Sequence, residues 1–415
     1  MKIELGKRIQ EFRKKFGKTQ DDVAKWLGVS RATVAQIELG NRDVNSVELE
    51  RIADYFGCDP LVFFEEGPVI ADALGILFRA NAGLRDSDEL RECVSDCLKL
   101  GREVANLRRI LDIDSGFDSA VQYELKVLSN KWEAVEQGNA IAAQERRRLE
   151  LGNLPITDLV KLLENQGICT GQHVMPKDVS GFTILDNSSG AFIYVNKENI
   201  GVRKRFSYAH EYGHVIMDND RTVLVSRFSE RNDLIEVRAN AFAASFLVPE
   251  DGCHEMIRKF GKGAAAREEV TVYDEEDSVT INKRNIKSDQ AIQLYDAARL
   301  AFYFGVSLRS MIYRLKNLKY ISRNELDILL MEESGFAGFH FKELMKENDK
   351  GNRLDEPDLF GFTVNSLALE AYRRNEISKG KCLELNRLVG IKHDDVAPIL
   401  LLLDSEEEEP ESKES

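Results

Sequence analysis

The chain is short of several things. No stretch approaches the roughly 20 consecutive apolar residues that a bilayer-spanning helix requires, and the opening MKIELGKRIQEFRKKFG does not read as a secretory signal. A membrane protein is thus excluded, and a cytoplasmic location is expected. Cysteine is sparse. The six cysteines (58, 93, 97, 169, 253 and 382) include no C-x-x-C pair, so they read as reduced thiols. Cys93 and Cys97 stand one helical turn apart and could share a metal, but as a sequence pattern they read as two buried core thiols. Basic residues are also short overall: the net charge is −14, which argues against indiscriminate nucleic-acid binding. The deficit is uneven. Residues 1–42 carry ten Lys/Arg against five Asp/Glu, or +5, whereas 404–415 carry one Lys against seven acids, or −6.

What the chain does have begins with length. At 415 residues, and a prior of about 150 residues per domain, it should divide into two to four units. The most informative stretch is Phe206-Ser207-Tyr208-Ala209-His210-Glu211-Tyr212-Gly213-His214-Val215-Ile216-Met217, an H-E-x-x-H inside an apolar-periodic run. On a helix, His210 and His214 share one face a turn apart, so two imidazoles can converge on one tetrahedral zinc. Glu211 beside them can take a proton from water that zinc has made acidic, with a pKa of roughly 7, and later hand it to a leaving amine. That chemistry is amide hydrolysis. Phe206, Ala209, Val215 and Ile216 mark the helix as buried, where His and Glu without partners would be costly.

An open catalytic zinc takes three protein ligands. The extended scheme H-E-x-x-H-x-x-G-x-x-H fails, because Met217 stands at its Gly position and Asp220 at its last. A second helix, Asp233 to Pro249, offers Glu236 on an apolar stripe of Ile235, Ala239, Phe242 and Phe246. Pairing of Glu236 with Arg238 is the plainer use of that carboxylate, and Asp218, Asp233 and His254 remain weaker ligand alternatives. Upstream, Gly181–Leu185 and Ala191–Asn196 read as a β-hairpin beside this helix. A sheet edge there can hold a peptide in extended form by strand addition. R-F-S-Y-A-H-E-Y-G-H followed by E-V-R-A-N-A-F-A-A-S-F-L-V-P resembles the ImmA/IrrE family of gluzincin-type zinc metallopeptidases. That resemblance implies His210, His214 and Glu236 as the ligands and Glu211 as the general base.

In the amino-terminal stretch, Thr19 and Ser30 read as N-caps of two short helices separated by Gly28-Val29, a helix-turn-helix pattern. The first residues of the second helix would enter the major groove: Ser30, Arg31, Thr33 and Gln36, with Gln20, Asn41 and Arg42 placed for phosphates. Leu5 to Phe64 resembles the phage-repressor (XRE-type) DNA-binding domain through K-T-Q-D-D-V-A, L-G-V-S-R-A-T-V-A-Q-I-E-L-G-N-R and L-x-R-I-A-D-Y-F-G.

The expected fold is mostly α with a small α+β peptidase domain. The expected units are a helix-turn-helix bundle over 1–66, a helical connector over 67–150, a gluzincin-like H-E-x-x-H metallopeptidase core over 151–265, and a helical region over 266–403. Near 297–318 that last region repeats the helix, Gly-Val-Ser, helix pattern. Residues 404–415 read as a disordered acidic tail. In the connector, a first helix carries Leu90 to Leu111 and a second runs from about Ser119 to Arg146-Arg147-Arg148, the latter as a solvated face. Helices of this length commonly pair protomers, so a homodimer on a palindromic operator is expected. The resemblances imply a stress-responsive transcription regulator with a gated zinc endopeptidase, which cleaves a repressor-like protein, a partner or itself, to relieve repression. The competing expectation is a non-proteolytic DNA-binding repressor whose peptidase-like domain senses a ligand or metal.

Overall fold

The amino-terminal helices end where their caps dictate. Helix α1 (Lys2–Lys15) is followed by α2 (Gln20–Leu27), which Thr19 and Asp22 close with a capping box and Gly28 ends at φ 70°. Ser30 caps α3 (Arg31–Glu38) through the Thr33 amide, and α4 (Ser46–Phe56) and a 3₁₀ turn (Pro60–Phe64) complete the bundle. Its core is Ile9, Phe12, Val23, Leu27, Val34, Ile37, Ile52 and Phe56. One buried carboxylate ties three helices together: Glu38 accepts from Gln10 at 3.3 Å, from the Arg13 guanidinium at 2.9 Å and from Gln20 at 2.9 Å. The computed structural model describes residues 2–15, 18–56, 60–64, 88–113, 122–186, 190–218, 223–227, 232–262, 267–273, 278–284, 290–335 and 358–407. The stretch 76–80, expected to be helical, lies outside them.

Helix α5 (Asp88–Ile110) buries Leu90, Val94, Leu98, Val104 and Leu107, the stripe its periodicity indicates. Helix α6 (Lys131–Arg148) begins later than expected, because Asn130 caps it through the Glu133 amide; residues 122–129 form neither helix nor strand, and the Tyr123 amide bonds to Ile216 O. Its carboxyl end is solvated only in part, with Arg147 and Arg148 exposed. Arg146 is buried and donates to the carbonyls of Gly152, Leu154 and Phe246, while Glu145 is fully buried. The alternation of charges suggested exposure, but three carbonyl partners make burial of the guanidinium affordable.

Helix α7 (Leu159–Glu164), capped by Asp158, leads into a four-stranded mixed sheet. Its strands are β1 (Cys169–His173), β2 (Val179–Asp186), β3 (Gly190–Asn196) and β4 (Val223–Arg227), in the order β1-β3-β2-β4. β2 and β3 form the expected antiparallel hairpin, and β1 joins β3 in parallel. The short outer strands lack a pattern of their own and were not evident in the sequence. Alternation divides the faces. Phe182, Ile184, Phe192 and Tyr194 pack with α5, whereas Ala191, Ile193 and Val195 pack with α8 (Gly201–Met217).

Helix α9 (Leu234–Leu247), capped by Asp233, lies between α8 and α6, and α10 (Glu250–Lys259) follows. Gly138 lets α6 approach closely: a Cβ there would stand 2.4 Å from Arg238 O. The charged stretch from Arg267, inside the region expected to be helical, instead pairs as β5 (Arg267–Tyr273) with β6 (Ser278–Arg284); Val270-Thr271-Val272 and Val279-Thr280-Ile281 supply the β-branched residues that favour strand. Beyond it come α11 (Leu294–Phe304), α12 (Leu308–Asn317) and α13 (Arg323–Ser334). Gly305 at φ 67° and the Ser307 cap reproduce the turn between α2 and α3. The echo is structural: Leu300, Phe304, Met311 and Leu315 join the core around α8 and α9, and Arg314 is buried on Val248 O. Helices α14 (Leu359–Arg373), α15 (Lys379–Leu388) and α16 (His393–Glu407) end the described chain. α16 therefore takes in 404–407, where a disordered tail was expected; 408–415 lie outside the described residues.

Candidate metal centre and DNA-facing helix

Helix α8 presents His210, Glu211 and His214, all buried, toward α9 and the inner face of the sheet. Glu236, in the first turn of α9, completes a group of three whose ligand atoms lie within 4.8 Å of one another. His210 Nε2 is 3.2 Å and His214 Nε2 3.4 Å from the Glu236 carboxylate, and the two Nε2 atoms are 3.1 Å apart. The other ring nitrogens are engaged. His210 Nδ1 donates to Asn240 Oδ1 at 3.1 Å, and His214 Nδ1 to Asp218 Oδ2 at 2.9 Å. Those bonds orient the two rings so that both Nε2 atoms face Glu236. Asp218 is held in turn by Arg238, which also donates to Gln137 of α6 at 2.8 Å. Arg238 therefore serves Asp218 and leaves Glu236 to the histidines.

The cluster requires a positive charge. Burial raises the Glu236 pKa, but the imidazoles facing it outweigh burial and hold its carboxyl far below the usual range. Burial likewise disfavours a charged His214, yet Asp218 and Glu236 raise it to about 10. Two imidazoles and a carboxylate converging on one point are a donor set suited to zinc.

Glu211 stands beside the three and does something different. Thr183 of β2 donates to its Oε2 at 2.8 Å, while its Oε1 is buried with no hydrogen-bond partner. Gly181 leaves the room for it, since a Cβ there would stand 3.1 Å from Oε1. Burial raises the Glu211 pKa, opposed by His210 and His214. A buried carboxylate oxygen without a hydrogen-bond partner beside three ligand atoms fits a site that a metal and water share. Ser226 of β4, whose Oγ lies 3.1 Å from His210 Nε2, closes the site from the sheet side. Thr183 carried no sequence signal beyond lying on a β-rich run, and Ser226, on β4, carried none. Of the weaker ligand alternatives, Asp218 orients a histidine, Asp233 caps α9, and His254 bonds Tyr320 at 2.7 Å.

In the amino-terminal bundle, Arg31 and Gln36 are exposed on α3, Thr33 is half-buried, and Ser30 is engaged as the cap, with its Oγ 2.9 Å from Thr33 Oγ1. Asn41 donates to Gln36 Oε1 at 3.0 Å, and Arg42 pairs with Glu48 at 2.8 Å. Gln20 departs from expectation: its amide turns inward to Glu38 instead of outward to a phosphate, because the buried carboxylate needs the donor.

Residues 9–63 match the helix-turn-helix family model, and residues 169–316 match the peptidase M78 family model, described as the IrrE N-terminal-like domain. No curated protein matches the chain. The second match begins at β1 and ends within α12, so α6 packs against the matched domain from outside it. Among the described residues, no helix is long and apolar enough to cross a membrane.

Proposed function

We propose, from the premise that this chain joins a helix-turn-helix DNA-binding domain to an IrrE N-terminal-like domain of a peptidase family, that it is a DNA-bound regulator carrying a zinc endopeptidase. Its substrate is a repressor-type protein, either a partner or another copy of the chain, and cleavage relieves repression. The observation that carries this reading is the unpartnered Oε1 of Glu211 beside His210, His214 and Glu236.

His210, His214 and Glu236 would hold the zinc ion, which would supply the Lewis acidity that polarises a carbonyl and acidifies water. Glu211 Oε1 accepts the water's proton and returns it to the leaving amine, while Thr183 fixes Oε2 so that only one oxygen is free to move it. Asn240 and Asp218 hold both imidazoles in register. β4 is an edge strand that carries Ser226 against His210, and an extended peptide adding to this edge would bring an amide to the centre. Arg31 and Gln36 read bases in the major groove, and a homodimer places two α3 helices on a palindromic operator.

Sequencing of new amino termini in cells expressing the wild-type chain or Glu211→Gln tests the reading. Wild type should generate a new terminus in a helix-turn-helix repressor or in the chain itself, absent from the variant. Identical terminus sets from both would refute proteolysis.

A further inference from the structure

We infer that Cys93, Cys97 and His173 form a second metal site, a thiolate-imidazole clamp for one zinc ion that fastens α5 to the edge of the sheet. Cys93 and Cys97 lie one turn apart on α5, and both are buried. His173 ends β1, eighty residues further along the chain, yet its Nδ1 stands 3.2 Å from Cys93 Sγ. One ligand atom from each of the three falls within 4.8 Å of the others. Local sequence did not bring them together; the packing of α5 on the sheet did.

Core packing alone does not account for the arrangement. Cysteines that merely fill space face apolar groups, whereas here a half-buried imidazole turns a ring nitrogen toward a thiol. That nitrogen is also 2.9 Å from the carbonyl oxygen of Val174, and with the ring proton on Nε2 its lone pair is open to an ion beside the sulfur. A cation at that place satisfies sulfur and imidazole together. The donors select its class. Two thiolates and an imidazole suit zinc, and they exclude the hard oxygen-seeking ions calcium and magnesium. Three protein donors leave a fourth position for water.

The clamp is separate from the candidate peptidase centre. Cys97 O accepts the Tyr194 hydroxyl at 3.0 Å, on the sheet face that Phe192 and Tyr194 present to α5. The His210 centre lies on the opposite face, with Thr183 and Ile193. Among the described residues, α5 is the first helix to follow the DNA-binding bundle, so zinc at the clamp would fix that helix on the back of the sheet.

The test uses the full chain loaded with cobalt(II) in place of zinc. The wild type should bind two equivalents and show the near-ultraviolet thiolate-to-cobalt charge-transfer absorption that a His-His-Glu site cannot produce. Cys93→Ser with Cys97→Ser should lose that absorption and one equivalent. His210→Ala with Glu236→Ala should lose the other equivalent and keep the absorption, so failure of either centre is read separately. The wild-type spectrum involves no substitution, so a variant that does not fold leaves the test intact. Absence of thiolate charge transfer in the wild type would overturn the clamp, as would its persistence without Cys93 and Cys97, or a Cys93–Cys97 disulfide in freshly purified protein.

Discussion

Glu211 has two oxygens with different tasks, and the difference is testable. With Oε2 held by Thr183 and Oε1 without a hydrogen-bond partner, Glu211→Gln keeps the shape and removes the proposed proton acceptor. Cleavage should fall by about 10²–10⁴-fold or more with metal content unchanged, as read by a peptide-release assay beside elemental analysis. Asp218 acts through His214: Asp218→Ala should weaken metal affinity by roughly 10–100-fold, measured by competition with a chelator. In the DNA-binding bundle, Arg31→Ala should weaken operator binding in a mobility-shift titration without changing metal content. Glu38 makes a separate claim about stability. Burial disfavours its charge, but Arg13, Gln20 and Gln10 outweigh burial and lower its pKa. A lowered carboxylate stabilises the fold fully above its ordinary value and ceases to do so as pH falls through the folded one. Glu38→Ala, which leaves Arg13 without its buried partner, should therefore cost about 3–5 kcal/mol at pH 7. Urea denaturation should show that difference shrinking once the pH drops below about 4.

At the scale of elements, local chemistry explains both what the sequence disclosed and what it concealed. Caps and periodicity made α2, α3, α8 and α9 legible, and the i, i+4 spacing placed His210 and His214 on one face. Glu236 was legible only through an apolar stripe and a family resemblance, because its partners are 26 and 22 residues away in the chain. β1 and β4 were concealed, being five-residue outer strands whose partners lie elsewhere. Arg146 and Glu145 misled because charge alternation resembles a solvated face. Their burial depends on Phe246 O, and on Tyr212 and Tyr123, which donate to Glu145. The same packing of α6 on α9 yields a prediction. Gly138→Ala places a methyl against Arg238 O, which should cost roughly 1–3 kcal/mol. It should also weaken metal retention, because α9 carries Glu236 and Arg238 orients Asp218.

For the molecule as a whole, the two family matches account for a DNA reader and a peptidase-type centre on one chain, and α6 and α12 show that the centre's support extends to either end of its matched domain. The basic excess of residues 1–42 suits the DNA-reading end. The central claim is that His210, His214 and Glu236 hold one zinc ion. Native mass spectrometry of the intact chain beside Glu236→Ala tests it most directly. The variant should carry one metal ion fewer than the wild type while retaining operator binding. Equal metal content in the two proteins would contradict the assignment of Glu236 and, with it, the peptidase centre described here.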